Sequence, residues 1–430
     1  MSPDPVLAGP EGPVFALVNL GIRPDWSTNH RFVGPHAHNA LSLGLAIDEP
    51  YLLSGLQASL GAAFVMTSVR GVQLAGGMSG VGSDVLGVQL GGLFALANHS
   101  LHGLQLSAGL ASIGEERITQ RVWPADSRYR RPSPASWGVQ VGGVGTVALN
   151  APLQGVQLAG GVASAGGFEG LQVAGLFAGA NEAWGLQLGG VVAQARIFRG
   201  LLLSGGVSWA EKGTGLQGAG LVASSSRTHV GLQVAPFTRA ETLRGVQVGL
   251  VNRVVYLEGV QVGLVNLAET PHGLHLAPVT LVRGVATGVE AWASELLAAS
   301  IVWRTGTPAL HSLVGAGVAA LGELCPTALV GLGTRRALAP RWDFAPDLVY
   351  AHAIQPVTLG TAAQVLHLRL PVRWTPGDGG WWLLGPTLNA ALFERAAPGH
   401  LPLRRQRELG SRTVHFWPGL TVGVGGPVWL

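Results

Sequence analysis

Apolar positions alternate with polar or small positions along most of the chain, in segments that recur about every 15 residues. The stretch GVQVGLVN at 245–252 returns letter for letter at 259–266. Alternation of period two is typical of β-strands, and repeated glycines within each segment disfavour a helix. The pattern Gly-φ-Gln-φ, with φ an apolar residue, begins at Gly71, Gly87, Gly103, Gly138, Gly155, Gly170, Gly185, Gly231, Gly245 and Gly259, with variants at Gly200, Gly215 and Gly273.

A repeat of this length fits two β architectures. In a membrane meander, a strand of about 9–11 residues leaves four or five residues for the turn. In a solenoid, each repeat is one coil with stacked glutamines, and the outer surface in water should be polar. Because residues 132–168 contain no charge, the meander is favoured. The sequence therefore predicts an all-β, antiparallel transmembrane β-barrel of roughly 22–26 strands, built from strand-turn repeats of ~15 residues.

After Gly284 the repeat ends and the alternation becomes cleaner, with one apolar face and one polar face, as in transmembrane barrels. We predict a single barrel domain over 1–430, with N-terminal strands at 1–54, repeat strands at 55–284, a loop insertion at 113–137, and C-terminal hairpins and a closing strand at 285–430. The predicted lipid-facing residues are Leu366, Leu368, Leu370, Val372, Val414, Phe416, Leu420, Val422 and Val424, and the predicted inward residues are Gln157, Gln172, Gln187, Gln247 and Gln261.

Composition narrows the class of protein. Charged residues are 12% of the chain, hydrophobic residues are 47%, and 65 of 430 residues are glycine. The net charge of +4 comes from scattered arginines, without the interleaved aromatics of a nucleic-acid groove. Cys325 is the single cysteine, which excludes an intrachain disulfide and a cysteine-based zinc site. No HExxH or GxSxG motif is present, so we predict no enzyme, cofactor or small-molecule substrate.

The densest charge lies in residues 113–137. We interpret this stretch as a surface loop that binds lipid headgroup phosphates or a partner, with an ordinary solvated loop as the alternative. The candidate arginines are Arg117, Arg121, Arg128, Arg130 and Arg131.

The repeats resemble a known family. GVQVGLVN is similar to the Gly-Leu-Gln-Ile-Gly-Leu-Val-Asn repeats of leptospiral-type surface-repeat outer-membrane proteins, and the opening at 13–47 resembles the segment that follows their signal peptide. The resemblance covers roughly residues 13–284. It implies the outer membrane of a Gram-negative bacterium, with a signal peptide absent from this numbering, and it carries no catalytic motif.

The repeat strands are apolar on both faces, which a water-filled pore would not favour. We therefore predict a non-enzymatic outer-membrane protein, a homo-oligomer that organises or encloses membrane lipid or serves as a surface structural protein, and that does not bind nucleic acid. The alternative is a soluble or surface-attached β-solenoid that acts as an adhesin or scaffold. A porin-like channel and a barrel lipid hydrolase are weaker alternatives.

Overall fold

The computed structural model describes residues 15–22, 24–32, 37–114, 135–149, 152–357, 359–377, 379–393, 399, 401–409 and 412–428. The chain forms two compact units, Met1–Ser226 and Arg227–Leu430. The fold is all-β, as predicted; among the described residues the helical elements are a 3-10 turn at Pro24–Trp26 and a short helix, α1, at Thr28–Phe32. No helix in this part of the chain is long and apolar enough to cross a membrane.

The first unit is a parallel β-solenoid. Successive repeats stack in register, so that Gly170 pairs with Gly185 and Gln172 pairs with Gln187. We call each layer a rung. The strands are β1 (Phe15–Gly21), β2 (His38–Gly44), β3 (Ile47–Asp48), β4 (Leu52–Ser59), β5 (Ala62–Val65), β6 (Val69–Ala75), β7 (Met78–Val81), β8 (Asp84–Gly91), β9 (Phe94–Ala97), β10 (Ser100–Ser107), β11 (Leu110–Ile113), β12 (Ser136–Gly142), β13 (Gly145–Ala148), β14 (Leu153–Ala159), β15 (Val162–Ala174), β16 (Phe177–Gly189), β17 (Val192–Ser204), β18 (Val207–Ala219) and β19 (Val222–Val234), the last of which continues into the second unit.

The first glycine of each repeat is required by the backbone. Gly185 has a φ of 119°, a value that residues with a side chain rarely adopt. A Cβ at this position would lie 2.2 Å from the carbonyl oxygen of Gly170 in the preceding rung. The repeat therefore begins with glycine because the chain turns a corner there while two rungs approach closely.

The interior of the first unit is narrow. One wall supplies buried glutamines and the other supplies small residues such as Ala178 and Ala193, while larger side chains such as Leu153, Phe168 and Phe198 pack at the corner. Since the rungs stack continuously, the core extends along the solenoid as ladders of equivalent residues.

The prediction of one large antiparallel barrel is therefore wrong. Strand alternation is present, but it fixes only which side chains share a face, and a meander and a coil satisfy it equally well. The absence of charge in 132–168 does not require lipid, because the glutamine face of these strands points into a filled solenoid core. The rung at Gly138 stacks directly on the rung at Gly103. Of the predicted insertion at 113–137, Ile113 belongs to β11 and Ser136 and Trp137 belong to β12, while residues 115–134 lie outside the described residues.

The second unit begins with further solenoid rungs and continues into a separate barrel. The rungs are formed by the end of β19 with β20 (Phe237–Val248), β21 (Val251–Val262), β22 (Val265–Ala268), β23 (Leu274–Leu276) and β24 (Val279–Val282). The barrel strands are β25 (Thr287–Ser294), β26 (Leu297–Gly306), β27 (His311–Ala320), β28 (Leu324–Gly333), β31 (Asp347–Ile354), β32 (Thr361–Arg369), β34 (Trp381–Phe393) and β36 (Arg412–Val428), with the additional strands β29 (Arg336–Ala339), β30 (Trp342–Phe344), β33 (Val372–Trp374) and β35 (Arg405–Leu409).

The barrel is small, antiparallel and closed. Its eight wall strands pair in the order β25, β26, β27, β28, β31, β32, β34 and β36, and β36 returns to pair with β25. The predicted antiparallel hairpins are thus confined to the C-terminal part of the chain. The prediction of a single 22–26-stranded barrel over 1–430 merged two architectures that both alternate with period two.

Candidate functional site

A cluster of charged side chains lies inside the barrel. Arg304 Nη2 donates to Glu290 Oε2 at 2.9 Å and to Asp347 Oδ2 at 3.1 Å. Arg369 Nη2 donates to Glu290 Oε1 at 3.0 Å and to Asp347 Oδ2 at 2.7 Å. His311 Nε2 lies 2.8 Å from Asp347 Oδ1 and also contacts Arg304. Four different strands supply the two carboxylates and two guanidinium groups, so the cluster ties the wall together.

The cluster is buried and balanced. Two positive and two negative groups face each other, and all four residues are less than 9% exposed. The guanidinium of Arg369 also lies 4.3 Å from the ring centroid of Trp292, which is a favourable cation–π distance. Since a buried charge without a partner is costly, loss of any one member would leave an uncompensated charge inside the barrel.

A second polar group lies around Glu295 in the same barrel. Its Oε1 accepts hydrogen bonds from Asn389 Nδ2 and Trp417 Nε1, each at 2.7 Å, and its Oε2 accepts one from the Leu420 backbone at 3.1 Å. The Asn389 side chain in turn contacts His367 Nδ1 at 2.7 Å. The interior therefore combines buried polar groups with apolar packing.

The outer face of the barrel is apolar. Among the described side chains of the eight wall strands, the charged ones are the four members of the buried cluster. The residues that the sequence predicted to face lipid lie outward where they are described: Leu366, Phe416, Leu420, Val422 and Val424 are exposed, and Leu368, Leu370, Val372 and Val414 are partly exposed. The polarity of a water-soluble protein is thus reversed here, with charges inside and aliphatic groups outside.

The glutamines predicted to point inward are buried, but they line the solenoid core and not a barrel lumen. In the first unit, Gln172 Nε2 donates to Gln157 Oε1 at 2.7 Å, and Gln187 Nε2 donates to Gln172 Oε1 at 2.8 Å. In the second unit, Gln261 Nε2 donates to Gln247 Oε1 at 2.7 Å. Because an amide has both a donor and an acceptor, each glutamine can bond to its copies above and below.

We call each column of hydrogen-bonded glutamines a glutamine ladder. A different side chain accepts or donates the terminal hydrogen bond of the ladder in each unit. In the first unit, Gln57 Nε2 donates to Asp48 Oδ2 at 2.9 Å. Burial raises the pKa of the Asp48 carboxyl, against the opposing effect of hydrogen bonds from Ser42, Gln57 and Asn19. In the second unit, His275 Nδ1 lies 2.8 Å from Gln261 Oε1. Burial lowers the pKa of His275, although its contact with the His272 carbonyl favours the protonated form.

The outward side of the Gly-φ-Gln-φ segment is uncharged in both units. In the first unit, the φ positions of the ten rungs from Gly55 to Gly215 hold only Leu, Val, Ala and Gly. In the second unit, the leucine and valine residues at the φ and turn positions form what we call the aliphatic strip, while Pro236 and Pro278 occupy the turn positions of the first and last of these rungs. Its residues are Leu232, Val234, Val246, Val248, Leu250, Val260, Val262, Leu264, Leu274 and Leu276.

Charged residues lie on other sides of the second-unit rungs. Arg244 and Glu258 are register partners on adjacent rungs, with Arg244 Nε 2.8 Å from Glu258 Oε2. Arg253 Nη2 lies 3.6 Å from Glu269 Oε1. These pairs are half-exposed and hence contribute little to stability, but they make this part of the solenoid amphipathic.

The loop arginines Arg117, Arg121, Arg128, Arg130 and Arg131 lie outside the described residues. Within the described part, no group of three or more His, Cys, Asp or Glu side chains is placed to hold a metal ion. The sequence predicted one polar face along the C-terminal strands, but it did not predict that Arg369 and Asp347 meet in a cluster. Alternation gives the face of each residue, whereas the pairing of strands distant in sequence decides which charges meet.

No family model, curated protein or solved structure matches the chain. The resemblance to leptospiral-type surface-repeat proteins thus stays a prediction.

Proposed function

We propose that the protein is a non-enzymatic, surface-attached β-solenoid that acts as a scaffold or adhesin. The parallel coil supports this function, because the in-register rungs of each unit repeat the same outward positions and so form regular outer faces. The buried ladders leave the interior filled with paired amides and small residues, so binding would take place on the outer faces. This is the alternative that the sequence left open.

We further propose that the C-terminal barrel attaches the solenoid to a lipid bilayer. The observation that carries this proposal is the reversed polarity of the barrel, with Glu290, Arg304, Asp347 and Arg369 inside and aliphatic side chains outside. A closed barrel satisfies its backbone groups internally, which hydrocarbon requires. The wall strands range from 8 residues in β25 and β31 to 13 in β34 and 17 in β36, and about 9–11 tilted residues cross a bilayer.

Attachment of this kind favours the bacterial outer membrane, where such barrels occur. Homo-oligomerisation remains a prediction, but the apolar character of both strand faces no longer supports it. The second apolar face of the repeat strands, which was expected to need sister copies or enclosed lipid, is the inner wall of a solenoid whose core is filled.

The test is reconstitution of the full chain with phosphatidylcholine vesicles, followed by flotation and gel migration with and without heating. We expect the chain to float with the vesicles and to migrate faster when unheated. Val422→Arg places a charge on the outward face of β36, where it should cost about 2–4 kcal/mol if it lies near the midplane. Vesicle insertion should therefore fall strongly.

Leu338→Arg is the matched control. Leu338 is 60% exposed and lies on β29, outside the eight wall strands, so insertion should be unchanged. Equal insertion of the two variants, or a wild-type chain that stays dispersed in water without detergent or vesicles, would contradict attachment through the barrel.

A further inference from the structure

A groove lies between the last solenoid rungs and the outer wall of the barrel in the second unit. It has a volume of about 390 Å³ and is lined mainly by aliphatic side chains. The solenoid contributes Leu276, Ala277 and Pro278, and the barrel contributes Leu332, Leu348 and Leu366. This size is within the range of small-molecule pockets, about 300–1,000 Å³.

The polar groups that line the groove already have partners. Ser312 Oγ donates to the Pro278 carbonyl at 2.9 Å, and the hydroxyl of Tyr350 lies 3.3 Å from His352 Nδ1. A ligand would meet hydrocarbon on both sides and gain little from its own hydrogen bonds. The chemistry of the groove fits a linear aliphatic chain.

The aliphatic strip continues from this groove along the solenoid, since Leu276 belongs to both. Its backbone groups are satisfied by the neighbouring rungs, as in the hydrogen bonds from Leu250 N to Pro236 O at 2.9 Å and from Leu264 N to Leu250 O at 3.0 Å. A face without unpaired backbone groups or charges can lie against hydrocarbon, because no polar group is then buried without a hydrogen bond.

The strip is a poor surface for a second copy of the chain. Four rungs at about 4.8 Å and five residues at about 3.3 Å give roughly 300 Å². A stable protein interface needs about 800 Å² on each partner and usually has aromatic or arginine anchors. The strip contains only leucine and valine.

We infer that the groove binds an acyl chain of a membrane lipid and that the aliphatic strip lies against the same hydrocarbon. This inference rests on the proposed attachment of the barrel to a bilayer. It extends the lipid contact from the barrel wall to the adjoining solenoid, so that these rungs would lie beside the barrel within the apolar layer.

Fluorescence quenching by lipid tests the strip. In a Cys325→Ala background, a fluorophore is attached at Val262→Cys on the strip, Leu420→Cys on the barrel wall, or Arg253→Cys on the charged side of the rungs. The full chain is inserted into phosphatidylcholine vesicles that carry nitroxides on their acyl chains. Quenching at Val262 and Leu420 should exceed quenching at Arg253 by about twofold or more.

The outcomes separate the two proposals. Quenching at Leu420 but not at Val262 would overturn the inference and leave barrel attachment standing. Equal, weak quenching at all three positions would overturn both. Quenching at Val262 alone would support the strip contact and contradict the role of the barrel. Cross-linking between copies through Val262, without lipid quenching, would assign the strip to a second copy instead.

Lipid retention tests the groove itself. Leu332 and Leu388 are both exposed leucines on the outer wall, at 43% and 55%, but of the two only Leu332 lines the groove. Native mass spectrometry of the detergent-extracted full chain should show a retained phospholipid in the wild type and in Leu388→Trp. The same lipid should be lost in Leu332→Trp, in which the indole fills the groove. Retention in both variants, or in none of the three proteins, would contradict the acyl-chain site.

Discussion

The solenoid and the barrel both bury polar side chains, but they pair these polar groups differently. In the first-unit solenoid, hydrogen bonds between equivalent side chains of successive rungs join Gln187 to Gln172 and Gln172 to Gln157. In the barrel, Arg369 bonds to Glu290, which is 79 positions away in the sequence. One region stacks identical groups, and the other joins opposite charges.

This difference follows from topology. An in-register parallel coil brings each residue next to its own repeat, so a buried polar side chain must be self-complementary. An amide satisfies this condition, whereas stacked carboxylates or guanidinium groups would repel each other. An antiparallel barrel without a repeat can place a carboxylate beside a guanidinium. Breaking one group in each region should therefore have consequences of different size.

Removal of one charge from the barrel cluster should have the largest effect. Asp347→Ala leaves Arg304 and Arg369 with Glu290 as their remaining carboxylate partner and should lower the free energy of unfolding by about 3–5 kcal/mol. Glu258→Ala, which breaks an ion pair that is about half exposed, should cost less than about 1 kcal/mol. Denaturant unfolding of the detergent-solubilised proteins measures both, and similar losses would contradict a structural role for the cluster.

Substitution of the first glycine of a repeat should have the second largest effect on stability. Gly185→Ala forces a side chain into a φ of 119°, at a cost of about 1–3 kcal/mol, and the contact with the Gly170 carbonyl adds to this. Gly167→Ala is the control, since a Cβ there would meet its nearest atom at 3.8 Å. Thermal unfolding followed by circular dichroism should show a clear loss for the first variant and little change for the second; the reverse order would be incompatible with stacked corners.

Substitutions in the column of stacked glutamine amides should change the free energy of unfolding by a smaller amount. One substitution should lower it and another should raise it. Gln172→Leu leaves the Gln187 donor and the Gln157 acceptor without their partner and should cost about 1–3 kcal/mol. Leu202 is the register partner of Gln187, whose Oε1 has no hydrogen-bond partner among the described residues. Leu202→Gln should extend the ladder and gain about 0.5–1.5 kcal/mol. Stabilisation by the first variant would show that the amide ladder does not stabilise the coil.

The smallest effect should be a change in pH dependence at His275. Because burial lowers its pKa, the folded protein binds fewer protons there than the unfolded chain does. The stabilising contribution is complete above the ordinary histidine pKa of about 6.5 and is lost as the pH falls below it. His275→Gln restores the ladder residue and should flatten this dependence. Hydrogen exchange of β24 at pH 7.5 and 5.5 measures it, and an unchanged profile would assign the dependence to another group.

Much of the local structure could be predicted from the sequence. Period-two alternation correctly identified strands, and the apolar positions Leu420 and Val422 lie outward in the barrel. The repeat pattern also marked Gly103 and Gly138 as equivalent positions, and the two are register partners in adjacent rungs. These features depend on side-chain direction within one strand, which local sequence records.

Strand pairing could not be predicted in the same way. Gln172 is buried in either a meander or a coil, and the repeat length suits both. The deciding feature is the corner at Gly185, where positive φ and close approach to Gly170 require stacked rungs. The barrel cluster was missed for a related reason: Glu290 and Arg369 meet only because β25 and β32 belong to one closed wall.

The coil is tested most directly by a distance measurement between two equivalent residues. The two residues must be separated by an odd number of repeats. Spin labels at Leu171→Cys and Leu216→Cys, in the Cys325→Ala background, lie on outward positions three rungs apart. Stacked rungs predict a backbone separation of about 14 Å, since rungs are about 4.8 Å apart. In an antiparallel meander the two positions would lie near opposite ends of strands about 30 Å long. A dipolar distance near 14 Å supports the solenoid, and one near or above 30 Å would contradict it.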